Sequence, residues 1–505
     1  MRDFRSSVLV MLALLAGLQC RRETAALDWP YPGYDLANTR CAPQPASRLR
    51  ANWQFSRVWE AEDFPPEEFE LNPVTAAASR RLLFADIGPK NRDEIALSID
   101  GFSEILDNQG VLIRQVSSGE QNISVGALPD RKAVLVACSL DVVNVYPVLA
   151  PEQRAAPLLR VRTAAPASEA WLVNVPRYAG TGPHRAAQQA SRLITVEPGR
   201  FETAADKVRA VTTAVTCYDP DREDTGISAP LRRYETGASV CHIWAIADVN
   251  GDSEPEIIVG TYGFEHGISV NGVADTGRAY VLCFSDQGAL LWQAEFGRHP
   301  NLYAQALAVD LDGDSIREVV VACGSWDREF GSLKVLDGRT GKCRARFPAD
   351  EPTGYAFTGI AAGDVDADGR PEICAVSSGK SARVWVLKFV PGPDRFETRA
   401  RREYPGTITG SFVNADLLAI CDFGADQQPD LLVSLSHETQ IDNDPYFYPS
   451  RISGARLALL DKDLSEIRVI LLPGALKSAA IAGLQNRSRR GILALTDRLE
   501  YYEPK

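Results

Sequence analysis

The sequence predicts an all-β repeat protein, and three observations carry that reading. An acidic frame recurs at Asp248, Asp310, Asp364 and Asp422, so its copies stand 62, 54 and 58 residues apart. An aliphatic run follows each copy: Ile257-Ile258-Val259, Val319-Val320-Val321, Ile373, and Leu431-Leu432-Val433. Further on come paired strand-like stretches around turns rich in Asp and Gly, as in Tyr280 to Trp292, Leu333 to Cys343 and Leu457 to Ile467. Each period therefore reads strand, acidic loop, apolar strand, longer loop, strand, tight turn, strand. That unit is a four-stranded antiparallel blade, and blades repeated radially make a β-propeller.

The acidic frames are Asp248-Val-Asn250-Gly-Asp252-Ser-Glu254-Pro-Glu256, Asp310-Leu-Asp312-Gly-Asp314-Ser-Ile316-Arg-Glu318 and Asp364-Val-Asp366-Ala-Asp368-Gly-Arg370-Pro-Glu372. A decayed copy reads Asp422-Phe-Gly424-Ala-Asp426-Gln-Gln428-Pro-Asp430. Carboxylates at positions 1, 3, 5 and 9 of a tight turn converge their oxygens, and the charges repel unless a hard cation neutralises them. Calcium is the expected ion, with position 7 able to add a backbone carbonyl. The expected ligands are Asp248, Asn250, Asp252 and Glu256; Asp310, Asp312, Asp314 and Glu318; Asp364, Asp366, Asp368 and Glu372; and Asp422, Asp426 and Asp430. An EF-hand would need a bidentate Glu at position 12, where Val259, Val321 and Ala375 stand instead. The competing reading is an acidic solvated turn with no ion, strongest at 422, where Gly424 removes a ligand.

Copies without the metal frame lie elsewhere. They read Phe84 to Leu97 with the hairpin Ile105 to Ile113, Ala127 to Val136 with Val142 to Val161, Ala170 to Val196 with Val215 to Asp219, and Ile481 to Leu495. Counting markers at 86, 128, 173, 248, 310, 364, 422 and 483 predicts eight blades, with seven the alternative. The last copy has room for about two strands. Leu49 to Glu60 is expected to supply its missing outer strands and close the ring.

Composition sets the outer bounds. The chain has 505 residues, more than one hydrophobic core usually organises, and its 45% apolar and 24% charged residues are those of an ordinary globular protein. The formal charge of -12 has the wrong sign for a surface that tracks phosphates, so nucleic acid is not an expected partner. Arg2 and Arg5 precede an apolar run from Val8 to Leu18, which suits a signal-peptide core and is too short to span a bilayer. Two endings compete: cleavage after Thr24-Ala25-Ala26, or a lipoprotein signal ending before Cys20, whose Cys would carry a lipid anchor. The organisation expected is a signal peptide over 1–26, an N-terminal segment over 27–48 and one propeller over 49–505. The expected location is periplasmic, cell-surface or extracellular, with no transmembrane anchor after signal removal. Nine cysteines follow Cys20 with no C-x-x-C pair, and Cys138, Cys283, Cys323, Cys374 and Cys421 sit in apolar runs as small buried hydrophobes.

The four acidic frames resemble the FG-GAP (VCBS-type) calcium repeats of integrin α-chain propellers and of many secreted bacterial proteins, over about Ser239 to Leu435. That resemblance implies metal-ligand roles for the matching aspartates, glutamates and Asn250, and recognition or adhesion rather than catalysis. Asp28-Trp29-Pro30, Gly33, Asp35 and Asn38-Thr39-Arg40 are similar to the opening segment of quinoprotein-like propellers. The vicinal Cys-Cys of that group is missing, which counts against quinone binding.

With the calcium loops on one rim, strand-two-to-strand-three loops fall on the other. That rim is expected to carry Tyr262, His266, Trp326, Arg328, His437, Tyr446 and Tyr448, either as a ligand surface or as aromatics packing long loops together. The leading reading is a calcium-stabilised, non-enzymatic module recognising an extracellular or cell-surface protein or glycan. The rivals are a lyase-like propeller acting on acidic polysaccharide, with His266, His437 and Arg328 as its base and charge-neutralising groups, and, ranked last, a quinoprotein-like oxidoreductase.

Overall fold

A computed structural model of the chain describes residues 55–61, 82–84, 95–99, 102–106, 112–118, 122–127, 133–139, 142–147 and most of 157–504. Within that last span the main breaks are at 179–186, 220–229, 263–267, 299–304, 324–331, 348–355, 407–410, 424–427, 441–449 and 483–490, with shorter ones at 164–166, 168, 200, 205–206, 211, 239, 275–277, 380, 475, 477 and 497. Residues 1–54, with the expected signal peptide, Cys20 and the segment over 27–48, lie outside the described residues.

Among the described residues there are only strands, in eight four-stranded antiparallel sheets and two two-stranded ribbons. The first sheet holds Leu82–Phe84, Ile95–Ile99, Phe102–Leu106 and Leu112–Ser118; the second Asn122–Ala127, Ala133–Ser139, Val142–Pro147 and Leu159–Arg162. The third holds Glu169–Tyr178, Ala187–Pro198, Thr213–Tyr218 and Arg232–Thr236; the fourth Val240–Ala247, Glu256–Tyr262, Arg278–Phe284 and Leu290–Arg298. Gln305–Val309, Glu318–Cys323, Ser332–Leu336 and Cys343–Phe347 make the fifth, and Ala356–Gly363, Glu372–Ser378, Ser381–Val390 and Arg395–Pro405 the sixth. The seventh is Ser411–Cys421, Asp430–Gln440, Ser450–Leu460 and Glu466–Leu472. Each of these seven is a simple meander, so the expected blade unit is the one formed. The chain has a propeller-type all-β fold.

The eighth sheet corrects the sequence expectation. It takes three strands from the C-terminal end, Ser478–Ala482, Gly491–Leu495 and Leu499–Pro504, and one from the N-terminal side, Phe55–Ala61. Two strands follow the marker at 483, as expected, and a third precedes it, so a single N-terminal strand rather than several completes the sheet. Phe55–Ala61 pairs antiparallel with Leu499–Pro504, from Phe55 opposite Pro504 to Ala61 opposite Leu499.

The core lies between sheets and not within any one of them. Trp244, Val281, Trp292 and Phe296 of the fourth sheet pack with Ala306, Val319, Val321 and Leu336 of the fifth. Leu307, Val320 and Val335 of the fifth meet Phe357, Ile373, Trp385 and Phe389 of the sixth, and the same sharing repeats between the sixth and seventh and between the seventh and eighth. A strand covered on both faces reads as a continuous apolar run, which is why Glu372–Ser378 is buried almost throughout. The outermost strand Arg395–Pro405 alternates and is largely exposed. Cys138, Cys217, Cys241, Cys283, Cys374 and Cys421 are buried in this interior. At Gly260 a Cβ would come within 1.8 Å of the Trp244 indole, so a glycine is needed opposite the bulge that turns this tryptophan toward the core. No helix among the described residues is long and apolar enough to cross a membrane.

Candidate metal centre in the acidic loops

The acidic frames join the first and second strands of the fourth, fifth, sixth and seventh sheets. Their backbone is set by a few repeated contacts. Position 2 is an apolar plug: Val249, Leu311, Val365 and Phe423 are all buried. Position 9 is a buried carboxylate that accepts the backbone N–H of that plug: Val249 to Glu256, Leu311 to Glu318 and Val365 to Glu372 at 2.9 Å each, and Phe423 to Asp430 at 3.3 Å. Position 1 accepts from the two amides across the turn, Gly313 and Ser315 to Asp310 at 2.7 and 2.9 Å, with the same pair at Asp248 and a close variant at Asp364. Positions 4 and 6 have positive φ: Gly251 and Ser253, Gly313 and Ser315, Ala367 and Gly369. The Gly thus sits at position 4 in two loops and at position 6 in the third, and its partner position accepts a small residue in the left-handed region.

With the backbone turned in this way, carboxylate oxygens of Asp310, Asp312 and Glu318, and again of Asp364, Asp366 and Glu372, lie within 4.8 Å of one another. Half-buried Asp310, Asp312 and Asp364 and exposed Asp366 face a buried glutamate across these two loops. Burial pushes the Glu256 and Glu318 carboxyls up to about 7 and raises Glu372, with neighbouring aspartates adding to the effect and the plug amide opposing it. Oxygen donors of this kind suit a hard divalent cation. In the sixth sheet the fit is clearest: Glu372 is fully buried and its Oε1 accepts no hydrogen bond, with only a 3.4 Å ion-pair contact to the Lys388 ammonium.

The loops at 248, 310 and 364 also hold a nitrogen donor between these carboxylates. In the loop at 248, Asn250 Nδ2 donates to Asp252 at 3.0 Å and to Glu256 at 2.8 Å. In the loop at 310, Arg344 Nη1 from the fourth strand donates to Asp312 at 2.8 Å and Glu318 at 2.6 Å. In the loop at 364, Lys388 Nζ from the third strand lies 3.5 Å from Asp366 and 3.4 Å from Glu372, and pairs with Asp368. Motif reading missed both basic residues. Lys388 left a faint trace, a charge interrupting an apolar strand; Arg344, one of two arginines in Cys343–Phe347, left none.

The hairpin turn of the fifth sheet locks against this rim. Arg339 Nε donates to the Asn250 carbonyl at 3.1 Å, and Trp292 Nε1 of the fourth sheet donates to the Gly338 carbonyl at 2.7 Å. Gly338 lies so close that a Cβ would stand 2.2 Å from the Arg317 oxygen and 2.3 Å from the Val249 oxygen. In the seventh sheet Asp422 and Asp430 are buried, while Asp426 lies outside the described residues.

Of the expected rim residues, Tyr262 ends the strand Glu256–Tyr262, and His437 lies half-buried in Asp430–Gln440, opposite Val413 and Ser453. His266, Trp326, Arg328, Tyr446 and Tyr448 lie outside the described residues. Both ribbons, Phe201–Ala204 with Lys207–Ala210 and Ser269–Val270 with Val273–Ala274, stand in second-to-third-strand connections.

Residues 310–375, which enclose the loops at 310 and 364, match the family model of the FG-GAP-like repeat. No curated protein matches the chain. Among solved structures, the chain is similar to BBS1N in complex with ARL6DN. In its mercury-soaked form the identity is 9% and the TM-score 0.41, covering 89% of this chain and 98% of that one. In the lead-soaked form the values are 10%, 0.44, 90% and 98%. It is also similar to Saccharomyces cerevisiae Sqt1, with 10% identity, a TM-score of 0.46, and 82% and 93% of the two chains covered. An FG-GAP-like repeat on a propeller-type fold supports a protein-interaction module in general.

Proposed function

We propose that the chain is an exported, calcium-stapled propeller of eight blades that recognises a protein or a glycan on the rim opposite its acidic loops. The observation that carries the calcium reading is the sixth-sheet loop, where Asp364, Asp366 and Glu372 oxygens converge and the fully buried Glu372 Oε1 accepts no hydrogen bond, the Lys388 ammonium lying 3.4 Å away. Calcium bound there would neutralise the convergent charge; Asp364, Asp366 and Glu372 would hold it, and the Val365 amide would orient Glu372. Asp248, Asp252 and Glu256 with Asn250 form a second set, and Asp422 and Asp430 a weaker one. The blade count draws support from the neighbouring first strands, each packed on the next through the fourth to eighth sheets, with Ser478–Ala482 against Leu82–Phe84. Export draws support from Arg2, Arg5 and the Val8 to Leu18 run. Ligand recognition falls to long connections that contribute little to sheet packing.

Chelation with EGTA is expected to lower the melting temperature and calcium to restore it, because an ion that binds only the folded state adds RT ln(1 + [L]/Kd) to stability. An unchanged melting curve at low ionic strength would sink the calcium reading. Truncating Trp326, Tyr446 and Tyr448 together is expected to abolish ligand binding, screened on glycan arrays and against cell-surface proteins, while calcium content and melting stay near wild type. Binding kept in that triple variant and lost in Asp366→Asn would move the site to the acidic rim.

A further inference from the structure

The three best-described acidic loops share one backbone but differ in the nitrogen that fills them, and this difference sets what each can bind. Arg344 is held from two sheets at once. Its Nη1 bridges Asp312 and Glu318 of its own sheet, while Nη2 and Nε form a two-pronged contact with Asp394 of the sixth sheet at 3.0 and 3.3 Å. The guanidinium also lies 5.1 Å over the Phe389 ring. All three guanidinium nitrogens are thus engaged, in the planar geometry that makes Arg–carboxylate pairs strong. Lys388 is different in kind: one ammonium on a flexible stem, facing three carboxylates of a single loop with no ion pair to a neighbouring sheet among the described residues.

We propose that Arg344 is the resident cation of the loop at 310, closing it to metal and stapling the fifth sheet to the sixth, whereas Lys388 is a displaceable counter-ion that yields the loop at 364 to calcium. The inference rests on the calcium reading above and assigns it loop by loop. A divalent ion in the loop at 310 would need the Asp312 and Glu318 oxygens that Arg344 holds, and expelling the arginine would also strip Asp394 of its partner. In the loop at 364 the ion replaces one positive charge with two, and Lys388 can swing toward solvent past the exposed Asp366 and Asp368.

The test counts calcium by native mass spectrometry on the folded full chain and its variants. Asp366→Asn is expected to lose one ion, Asp312→Asn to lose none, and Arg344→Met to gain one. Lys388→Met is expected to keep the count and tighten affinity about two- to fivefold, the gain from removing one partly exposed competing pair. Loss of an ion in Asp312→Asn would overturn the proposal, as would a folded Arg344→Met that gains none while wild type binds calcium. Should Arg344→Met fail to fold, the Asp312→Asn count decides alone. A wild type that binds no calcium would instead bring down the calcium reading itself, and the loop assignment with it.

Discussion

Position 9 of each frame does two jobs that a motif reading merges into one. Glu256 and Glu318 are expected metal ligands, yet each also anchors the loop by accepting the amide of the buried residue at position 2. That double role yields a pH dependence whose sign can be worked out. Their folded carboxyls sit near 7 against an ordinary 4.5, so the folded state holds these protons more tightly than the unfolded one. Calcium-free protein is therefore expected to lose stability as pH rises from about 4.5 to about 7 and to level off above, as far as these groups contribute. Calcium in the loop at 248 needs the ionised Glu256, so its stabilisation there should grow over the same window, whereas Glu318, held by Arg344, gives no calcium-dependent part. Melting curves with and without calcium should diverge as pH rises; parallel curves would contradict the ligand role of Glu256. The carboxylates of the frames were legible as residues because their spacing survives in the chain. Arg344 was not, because its approach to Asp312 depends on which strand lies beside which, 32 residues apart in sequence.

Element by element, the hairpin turn of the fifth sheet shows how loops from different repeats become one rim. Gly338 is there because two carbonyl oxygens leave no space for a Cβ. Gly338→Ala is expected to cost about 1–3 kcal/mol, since the Cβ must displace backbone rather than a flexible side-chain tip. Urea unfolding would check this, and a cost below about 0.5 kcal/mol, the range of an ordinary surface substitution, would show that the turn is not pinned. The Asp337-Gly pair announced a turn in the sequence, but a turn signal alone does not say that the glycine serves close approach to Val249 and Arg317. Strand type was equally legible: aliphatic runs bounded by Asp and Gly could hardly be anything else here. Their number in the last repeat was not, because a marker shared by strand and loop can be placed on either side of the strand it marks.

For the molecule as a whole, stability rests on faces shared between successive sheets, so the weakest point is wherever one sheet is built from both ends of the described fold. Leu499–Pro504 is buried along its length and has Phe55–Ala61 as its outer partner. A chain beginning at Glu62 is expected to melt below one beginning at Phe55, by roughly 1 °C for each kcal/mol lost with that strand, the unfolding entropy of a chain this long being large. Equal melting of the two would mean that the N-terminal strand does not secure the last sheet, and would remove the support for ring closure.

The sequence by itself determined the all-β class, the four-stranded repeat and the carboxylate frames, because each is written within one repeat: spacing, alternation and turn residues act over a few neighbours along the chain. Tertiary structure alone decided which cation each frame meets. Arg344, Lys388 and Asp394 reach the loops through strand order and the packing of one sheet on the next, and Asn250 in the same position of the first loop is backed by a turn from the following sheet. Contacts made across sheets depend on distances in space that no local pattern encodes, so near-identical frames acquire different partners and, with them, different chemistry.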